Sequence, residues 1–397
     1  MSNFQHATPI VVKGNALYRG SERWLVKGIS YLPYAPDREP NGDKVLLDAL
    51  AHDRLHELED DVFTLHDLGL NTISVRHLEP DTDHSAALKL LEREGIYVLV
   101  TIFDGLHKRR NRWPTEDKTT PENYVRQQYN AETMISNFRL VEELAAHPNV
   151  LGFVVSGSSM NTVRDTKVAE VLRACIRDTK AFLHARGKRA VPVGATVSDL
   201  AMLRLPFLQY ISSGPPAERA DFAAIDCYSW AGKSSFQISG WRNLVASVSK
   251  VTRTPLMLSA FGTNITQPRL WDELLCLYSP DMTGVFSGGF AYTFFESGNL
   301  YGMVKTQEDG FRKPARDFNR FRKHFKIINC RATEELFSQT SDAEVPALEL
   351  QTLPSDRWLA GPQLPPFPDT WARVIDGVVR TRAPDFSNAM VRPFRPR

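Results

Sequence analysis

The chain has 397 residues, of which 42% are hydrophobic and 24% charged, and its formal net charge is +2. These values are ordinary for a soluble globular protein, and so small a net charge does not by itself indicate a nucleic-acid or membrane partner. No run of apolar residues is long enough for a conventional transmembrane helix, which excludes that class of membrane protein.

The two ends of the chain and its cysteines predict where the protein works. Residues 1–10 lack the apolar stretch of a secretory signal, and the basic residues 391–397 lack the apolar tail of a lipid anchor. The cysteines are not closely spaced, which favours reduced thiols over a disulfide framework or a zinc site; they are Cys175, Cys227, Cys276 and Cys330. We therefore expect a cytoplasmic protein that has no membrane association.

The N-terminal segment predicts a β-hairpin, with strands at 9–18 and 23–30 joined by a turn at 19–22. Short apolar runs bounded by Gly, Pro or polar residues then recur along the chain. Such runs are typical of strands that are buried on both faces of a parallel sheet. The predicted strands are 26–31, 72–76, 97–103, 150–156, 190–195, 222–228, 255–261 and 289–294.

Helical patterns lie between these strands. Residues 54–68 and 166–186 each repeat apolar side chains at helical spacing, and each pattern ends at a glycine. Eight strand–helix units predict an α/β fold, a (β/α)8 TIM barrel, with the N-terminal hairpin in front of it. The alternative is a doubly wound open sheet, but no glycine-rich phosphate turn follows the first strand.

The composition of the sequence changes near residue 329. Prolines punctuate the remaining segment, and apolar residues occur only in isolated clusters. We therefore predict a barrel domain over residues 1–328 and an irregular, proline-rich C-terminal extension over 329–397 that wraps the barrel.

Many short motifs within residues 9–304 occur in the order known from one family. Two of them are Tyr-Ser-Trp at 228–230 and Met-Thr-Gly-Val-Phe-Ser-Gly-Gly at 282–289. Others lie at 11–15, 68–73, 129–131, 185–187, 191–194, 218–222, 234–236, 239–241 and 301–304. On these motifs the chain resembles the fungal cell-wall β-1,3-glucanosyltransferases of glycoside hydrolase family 72. The resemblance implies a barrel with a glucan-binding site at its mouth.

The chain departs from this family at the positions that carry the chemistry. The resemblance places the acid/base glutamate at Ser158 and the nucleophilic glutamate at Ala260, and its Arg-Val-Tyr motif falls on residues 74–76. Glycoside hydrolysis by the usual route needs two carboxyl groups flanking the scissile bond. A methyl group can neither attack a sugar carbon nor donate a proton. The sequence therefore predicts a divergent member without the family reaction.

The strand ends at the barrel mouth offer other polar groups, because active sites of TIM barrels lie at the carboxyl ends of the strands. Ser158 is the candidate nucleophile, with His77 as its base and Asp226 as a third catalytic group. Candidate substrate-binding residues are Arg76, Glu79, Asp104, Ser156, Ser159, Asn161, Tyr228 and Glu296. Several carboxylates in one pocket favour a cationic, arginine-like ligand. The alternatives are that Glu79, Asp104 and Glu296 are solvated loop residues and that Ser158 only fills space.

A basic segment follows the third predicted strand. Its residues Lys108, Arg109, Arg110, Arg112 and Trp113 combine positive charge with an aromatic ring. Basic residues beside an aromatic can hold a phosphate backbone and stack a base, so the segment is a candidate tRNA-binding surface. The alternative is a solvated charge run.

Three hypotheses for the function remain open. The first is an aminoacyl or acyl transferase of fungal secondary metabolism, tRNA-dependent like the arginine-containing cyclodipeptide synthases. The second is a non-catalytic binder of glucan or protein. The third is a weak carbohydrate-active enzyme that uses Asp226 or Glu296 in place of the lost pair. No metal and no cofactor are expected, because no ligand spacing or dinucleotide motif occurs, and the oligomeric state stays open.

Overall fold

A small antiparallel sheet opens the chain. It contains β1 (Ile10–Lys13), β2 (Ala16–Arg19) and β3 (Glu22–Trp24). Its turns lie at Gly14 and Gly20, whose φ values of 57° and 64° favour glycine. The predicted hairpin is therefore a three-stranded sheet.

The computed structural model of the protein describes residues 7–38, 44–103, 121–156, 160, 162–308, 310–337 and 358–380.

The centre of the molecule is a closed barrel of eight parallel strands. The strands after β3 are β4 (Val26–Ser30), β5 (Tyr34–Arg38), β6 (Lys44–Leu46), β7 (Thr72–Val75), β8 (Tyr97–Ile102), β9 (Val150–Ser156), β10 (Val193–Ser198), β11 (Ala223–Asp226), β12 (Leu256–Phe261), β13 (Phe286–Ala291), β14 (Val304–Thr306) and β15 (Arg312–Pro314). The barrel order is β4-β7-β8-β9-β10-β11-β12-β13, which confirms the predicted TIM barrel. The pairs β5–β6 and β14–β15 form separate two-stranded ribbons.

Helices connect the barrel strands, and three more, α10 to α12, follow the last of these strands. They are α1 (Leu55–Asp67), α2 (Ser85–Arg93), α3 (Pro121–Gln128), α4 (Ala131–Leu144), α5 (Val168–Ala185), α6 (Ala201–Ser212), α7 (Trp241–Val248), α8 (Asp272–Leu277), α9 (Pro280–Thr283), α10 (Phe318–Asn329), α11 (Thr333–Leu336) and α12 (Trp371–Arg380). The helices α1 and α5 begin and end within one or two residues of the predicted helices at 54–68 and 166–186. Both end before a glycine with positive φ, Gly69 at 77° and Gly187 at 59°. In the described part of the chain, every helix is too short or too polar to cross a bilayer.

Two barrel strands are displaced by three residues from their predicted positions. The fifth strand was predicted at 190–195, but β10 begins at Val193, because Pro192 has no N–H to contribute to the ladder. The eighth was predicted at 289–294, but β13 begins at Phe286 and contains Gly288 and Gly289. Glycines weaken the apolar pattern by which a strand is recognised, so the pattern places this strand at the run that begins with Gly289.

The N-terminal end of the barrel is closed by packing. Side chains from the barrel interior, including Phe222 and Phe290, form one buried cluster with Ile10, Leu17 and Trp24 of the small sheet. The Trp24 ring meets the Tyr97 ring edge-on at 5.0 Å between centroids. Since this end is filled, open space within the barrel can lie only towards the carboxyl ends of the strands.

The C-terminal segment packs against the outside of the barrel. Phe367 stacks on Trp371 with centroids 4.2 Å apart, and Trp371 lies parallel to Phe138 of α4 at 6.1 Å. Arg177 of α5 donates to the carbonyl of Pro365 at 3.0 Å. The helix α10 runs across the predicted domain boundary at residue 328. The extension therefore includes an ordered helix, α12, that covers α4.

Candidate functional site

A cavity of about 800 Å³ lies at the carboxyl ends of the barrel strands. Its residues come from all eight strands or from the loops directly after them. They are Ser30, Leu32, Tyr34, Leu46, Ser74, Arg76, Leu99, Thr101, Val154, Thr196, Ser198, Asp199, Leu200, Asp226, Tyr228, Ser229, Ser259, Ala260, Phe290, Tyr292, Asn299 and Tyr301. Hydroxyl groups and aromatic rings dominate this lining, and a cavity of this size is typical of ligand sites.

Four tyrosines form one aromatic wall of the cavity. The rings of Tyr228, Tyr292 and Tyr301 meet edge-on, with centroids 5.2 to 6.4 Å apart. Tyr34 shares a hydrogen bond with Tyr292. Each side chain presents an apolar ring and a polar hydroxyl to the same space. The wall can therefore contact a ligand that has both apolar faces and hydroxyl groups.

Among the described residues, two carboxylates line the cavity, and each interacts with a neighbouring side chain. Asp226 accepts a hydrogen bond from the Ser259 hydroxyl at 2.7 Å. Asp199 forms an ion pair with Arg204. Burial raises the pKa of the Tyr228 phenol, and the nearby Asp226 carboxylate raises it further, so the phenol stays protonated and can donate a hydrogen bond.

Ala260 lies in the wall between these groups. Its methyl group lines the cavity although the residue is only 8% exposed. Its register partner on the neighbouring strand is Asp226, at an irregularity between Ile225 and Asp226. A carboxylate at position 260 would project from the same point of the strand. The described cavity instead has a methyl group where the resemblance places the nucleophile.

The structure brings three of the predicted site residues together. Arg76, Asp226 and Tyr228 all line the cavity. Ser156 lies deeper, because it is only 3% exposed and its hydroxyl accepts from Thr196 at 3.3 Å. Ser156 therefore supports the cavity floor through Thr196 and is not itself a lining residue.

His77 and Glu79 do not line this cavity. The His77 Nε2 atom lies 3.4 Å from the Glu79 carboxylate, whose side chain is 59% exposed. The backbone N–H of Glu79 donates to Asp48 at 2.8 Å. The pair occupies the turn after β7, so the roles of His77 as a catalytic base and of Glu79 in substrate binding stay predictions.

Glu296 is engaged by its own loop. Its carboxylate accepts from the N–H groups of Gly298, Leu300 and Gly302 at 2.5, 3.0 and 2.9 Å. Although burial alone would raise it, these amides hold the pKa of Glu296 below its usual value. Its acceptor atoms therefore stabilise a turn, and the role of Glu296 in substrate binding stays a prediction.

The remaining predicted site residues lie outside the described part of the chain. They are Asp104, Lys108, Arg109, Arg110, Arg112, Trp113, Ser158, Ser159 and Asn161. Within the described residues, no group of three or more His, Cys, Asp or Glu side chains is arranged to hold a metal ion.

Several lining residues, chiefly Asp199, Tyr292 and Tyr301, are not among the predicted site residues. For Asp199 and Tyr292 the cause is the displacement of two predicted strands. When the fifth strand is placed at 190–195, Asp199 falls outside its carboxyl end, whereas it directly follows β10. Likewise Tyr292 directly follows β13 but was placed inside the predicted strand. The proline at 192 and the glycines at 288 and 289 were the signals that could have located both ends.

Sequence comparisons place this site in a known context. The profile of a family described as Glucanosyltransferase matches residues 1–329. The 1,3-beta-glucanosyltransferase gas4 of Schizosaccharomyces pombe is 31% identical over 367 residues, which cover 90% of this chain and 75% of gas4. The 1,3-beta-glucanosyltransferase gel1 of Aspergillus fumigatus is 30% identical, with coverage of 85% and 69%. The pH-responsive protein 1 of Candida albicans is 29% identical over 93% of this chain, which spans 66% of that protein.

A solved structure is similar over most of the chain. Saccharomyces cerevisiae Gas2p in complex with laminaritriose and laminaritetraose aligns with a TM-score of 0.74 at 27% identity. The alignment covers 91% of this chain and 78% of the Gas2p chain. The resemblance drawn from the motifs is thereby confirmed.

These similarities overturn the first functional hypothesis. The matching family and the relatives gas4 and gel1 are described as glucanosyltransferases, so the predicted aminoacyl or acyl transfer, the cyclodipeptide chemistry and the link to secondary metabolism are wrong. The predicted cationic substrate and tRNA partner are corrected too, because Gas2p is seen with neutral laminari-oligosaccharides. In physical terms, Asp226 is the only predicted acid in the described cavity lining, and it already accepts a hydrogen bond.

The predicted cytoplasmic location is contradicted by the same family match, since the resemblance is to enzymes of the fungal cell wall.

Proposed function

Because the chain belongs to the glucanosyltransferase family, we propose that its cavity binds β-1,3-linked glucan. The observation that carries this proposal is the wall formed by Tyr34, Tyr228, Tyr292 and Tyr301 in a cavity of about 800 Å³. A pyranose ring has apolar C–H faces and a rim of hydroxyls. Tyrosine rings pack against the faces while hydroxyl, amide and carboxylate groups bond the rim. The laminari-oligosaccharides seen in the similar Gas2p structure are ligands of this class.

We further propose that the bound glucan is not transferred by the family's usual route. Retaining transfer needs a nucleophilic carboxylate and a second carboxyl group about 5–5.5 Å away. Position 260 has a methyl group and position 158 a serine. Asp226 lies on the strand next to Ala260, so its carboxylate starts from a different point of the wall. Asp226 and the hydroxyls then act as hydrogen-bond acceptors and donors for sugar.

The first test is direct binding of laminaripentaose to the full chain by isothermal titration calorimetry. We expect the wild-type chain to bind, and Tyr228→Ala to lose at least tenfold in affinity, which corresponds to about 1.4 kcal/mol. The reason is that Tyr228 contributes both a ring to the wall and a protonated phenol. Tyr228→Phe should lose less, because it keeps the ring.

Two controls accompany this measurement. Tyr18→Ala removes a tyrosine from β2, on the small sheet at the opposite end of the barrel, and should leave the affinity unchanged. The β-1,4-linked cellopentaose should bind more weakly than laminaripentaose, because its chain has a different shape. Absence of laminaripentaose binding by the wild-type chain would refute the proposed ligand.

The second test restores the missing carboxyl groups. The double substitution Ser158→Glu with Ala260→Glu is expected to give glucanosyl transfer from laminaripentaose, detected as longer and shorter products by mass spectrometry. Glu at 260 would attack the anomeric carbon while Glu at 158 protonates the departing oxygen, and a sugar hydroxyl would then release the intermediate.

Ala260→Glu alone is the matched control, because it supplies a nucleophile without the acid. We expect at least a hundredfold less product from it than from the double variant, in the range of a general-acid contribution. Longer products from the wild-type chain would refute the proposed loss of transfer while leaving glucan binding intact.

A further inference from the structure

The loop after β12 holds the loop after β13 through side chains that bond its backbone. Three consecutive carbonyl oxygens, those of residues 299–301, each accept from one side chain of the preceding loop. The donor–acceptor pairs are Asn264 Nδ2 to Asn299 at 2.6 Å, Gln267 Nε2 to Leu300 at 3.0 Å and Arg269 Nη2 to Tyr301 at 2.8 Å. Both Asn299 and Tyr301 line the cavity. The spacing of these bonds fixes the path of the loop that supplies them.

Arg269 is the buried member of this set, with only 2% of its surface exposed. Its Nη1 atom also donates to the carbonyl of Tyr292 at 2.7 Å, so one guanidinium bonds the backbone of two wall tyrosines. Its Nε atom donates to Asp317 at 2.6 Å, and its plane lies over the Trp271 ring at 4.2 Å. Asp317 in turn accepts from the Trp271 indole at 2.9 Å.

The loop after β13 is also stabilised by a carboxylate of its own, Glu296, whose charge is opposite to that of Arg269. Glu296 accepts from three backbone N–H groups of residues 298–302, whereas Arg269 donates to the carbonyls at both ends of this loop region. A carboxylate supplies only acceptors and a guanidinium only donors, so the two side chains satisfy complementary sets of backbone atoms. The conformation of residues 292–302 therefore depends on both.

We propose that Arg269 is the positioning residue of the cavity wall and that its bonds to Tyr292 and Tyr301 determine the affinity for glucan. This inference rests on the proposed glucan-binding function. Lysine cannot replace arginine here, because an ammonium has three donors around one point and cannot reach Asp317 and two separated carbonyls together. The positioning role thus requires the planar, five-donor geometry of the guanidinium.

The test compares Arg269→Lys with the wild-type chain in two measurements. The first is the affinity for laminaripentaose by calorimetry, for which we expect a loss of at least tenfold. The second is backbone amide exchange, in which the peptide that covers residues 292–303 should exchange at least tenfold faster. The exchange measurement needs no ligand, so it tests the positioning role even when the chain proves not to bind glucan.

Arg177→Lys is the matched control. Arg177 also bonds a carboxylate, that of Asp178 at 2.7 Å, and a backbone carbonyl, that of Pro365 at 3.0 Å, but it lies on α5 outside the cavity lining. It should leave both the glucan affinity and the exchange of residues 292–303 unchanged. Equal effects of the two substitutions on affinity would overturn the proposal, since they would reflect general destabilisation.

Gln267→Ala is the second variant, to be measured in the same way if Arg269→Lys does not fold. It removes the bond to the Leu300 carbonyl from an exposed side chain and leaves the buried ion pair in place. We expect a two- to fivefold increase in exchange of residues 292–303 and an affinity loss of similar size. An unchanged exchange rate of residues 292–303 in Gln267→Ala would then contradict the proposed role of the loop contacts.

Discussion

Replacing His84 with alanine is expected to destabilise the fold by about 3–5 kcal/mol, the usual cost of breaking a buried ion pair. His84 is fully buried, and its two ring nitrogens lie 2.9 Å from Asp48 and 3.1 Å from Glu143. Removal of the imidazole leaves both carboxylates, which are 8% and 12% exposed, without this partner. The free energy of unfolding from urea titration at pH 6.5 measures the effect.

The same cluster predicts how stability depends on pH. Burial alone would lower the pKa of His84, but the hydrogen bonds and charges of Asp48 and Glu143 raise it from the ordinary 6.5 to about 9. The folded state therefore binds this proton more tightly than the unfolded chain. The resulting stability, about 3 kcal/mol, is fully present below pH 6.5 and is lost as the pH rises through 9.

Asp48 makes the stability depend on pH in the acidic range. Burial alone would raise its pKa, but the bonds from His84 and from the Glu79 and Leu50 amides lower it below its ordinary value. Its contribution is present above pH 4 to 5 and is lost as the pH falls further.

His184→Ala is the control for both measurements, because His184 is an exposed residue near the end of α5. It should change the free energy of unfolding by less than about 0.5 kcal/mol. If the wild-type chain and His84→Ala lose stability equally between pH 6.5 and 9.5, the assignment of this pH dependence to His84 is wrong.

Replacing Gly288 with alanine should also destabilise the protein strongly, by about 3–5 kcal/mol. Gly288 lies in β13, where the barrel closes against β4, and its φ is 88°. A Cβ atom there would lie 2.2 Å from the carbonyl oxygen of Val26. Because that oxygen belongs to the backbone of a neighbouring strand, the clash can be relieved only by moving the barrel wall. Thermal and urea unfolding measure the loss.

Gly95→Ala separates the two causes of this effect. Gly95 has a positive φ of 69°, but a Cβ atom there would meet nothing within 4 Å. It should therefore cost only the strain of the left-handed conformation, about 1–2 kcal/mol. Equal losses from the two substitutions would show that backbone conformation, and not the contact with Val26, decides the stability of this part of the barrel.

The barrel was predictable because its signal is local. Buried parallel strands produce apolar runs, and the intervening helices repeat apolar residues every three to four positions. Val150–Ser156 was predicted at its observed bounds. Where the pattern contains proline or glycine, as at residues 192 and 288–289, the predicted strand lies three residues from the observed one. This displacement leaves the predicted barrel unchanged, but it moves the strand ends from which the site residues are predicted.

The functional error has the same physical origin. Acidic side chains near strand ends were assumed to converge on one pocket, yet a side chain's direction depends on register and on the groups that bond it. Glu296 lies after the eighth strand as expected, but three backbone amides hold its carboxylate. Glu79 lies after the second strand, but it pairs with His77. The acidic pocket that favoured a cationic substrate is therefore not formed by these residues.

The sequence by itself determined the barrel, the family and the identity of the residues at positions 158 and 260, because runs, motifs and single substitutions are all visible along the chain. The tertiary structure decided which side chains share the cavity and which buried charges are paired. Arg269 meets Asp317 and His84 meets Asp48 across separations of 48 and 36 residues. Such contacts depend on how strands and loops are placed in space, so no local pattern in the sequence specifies them.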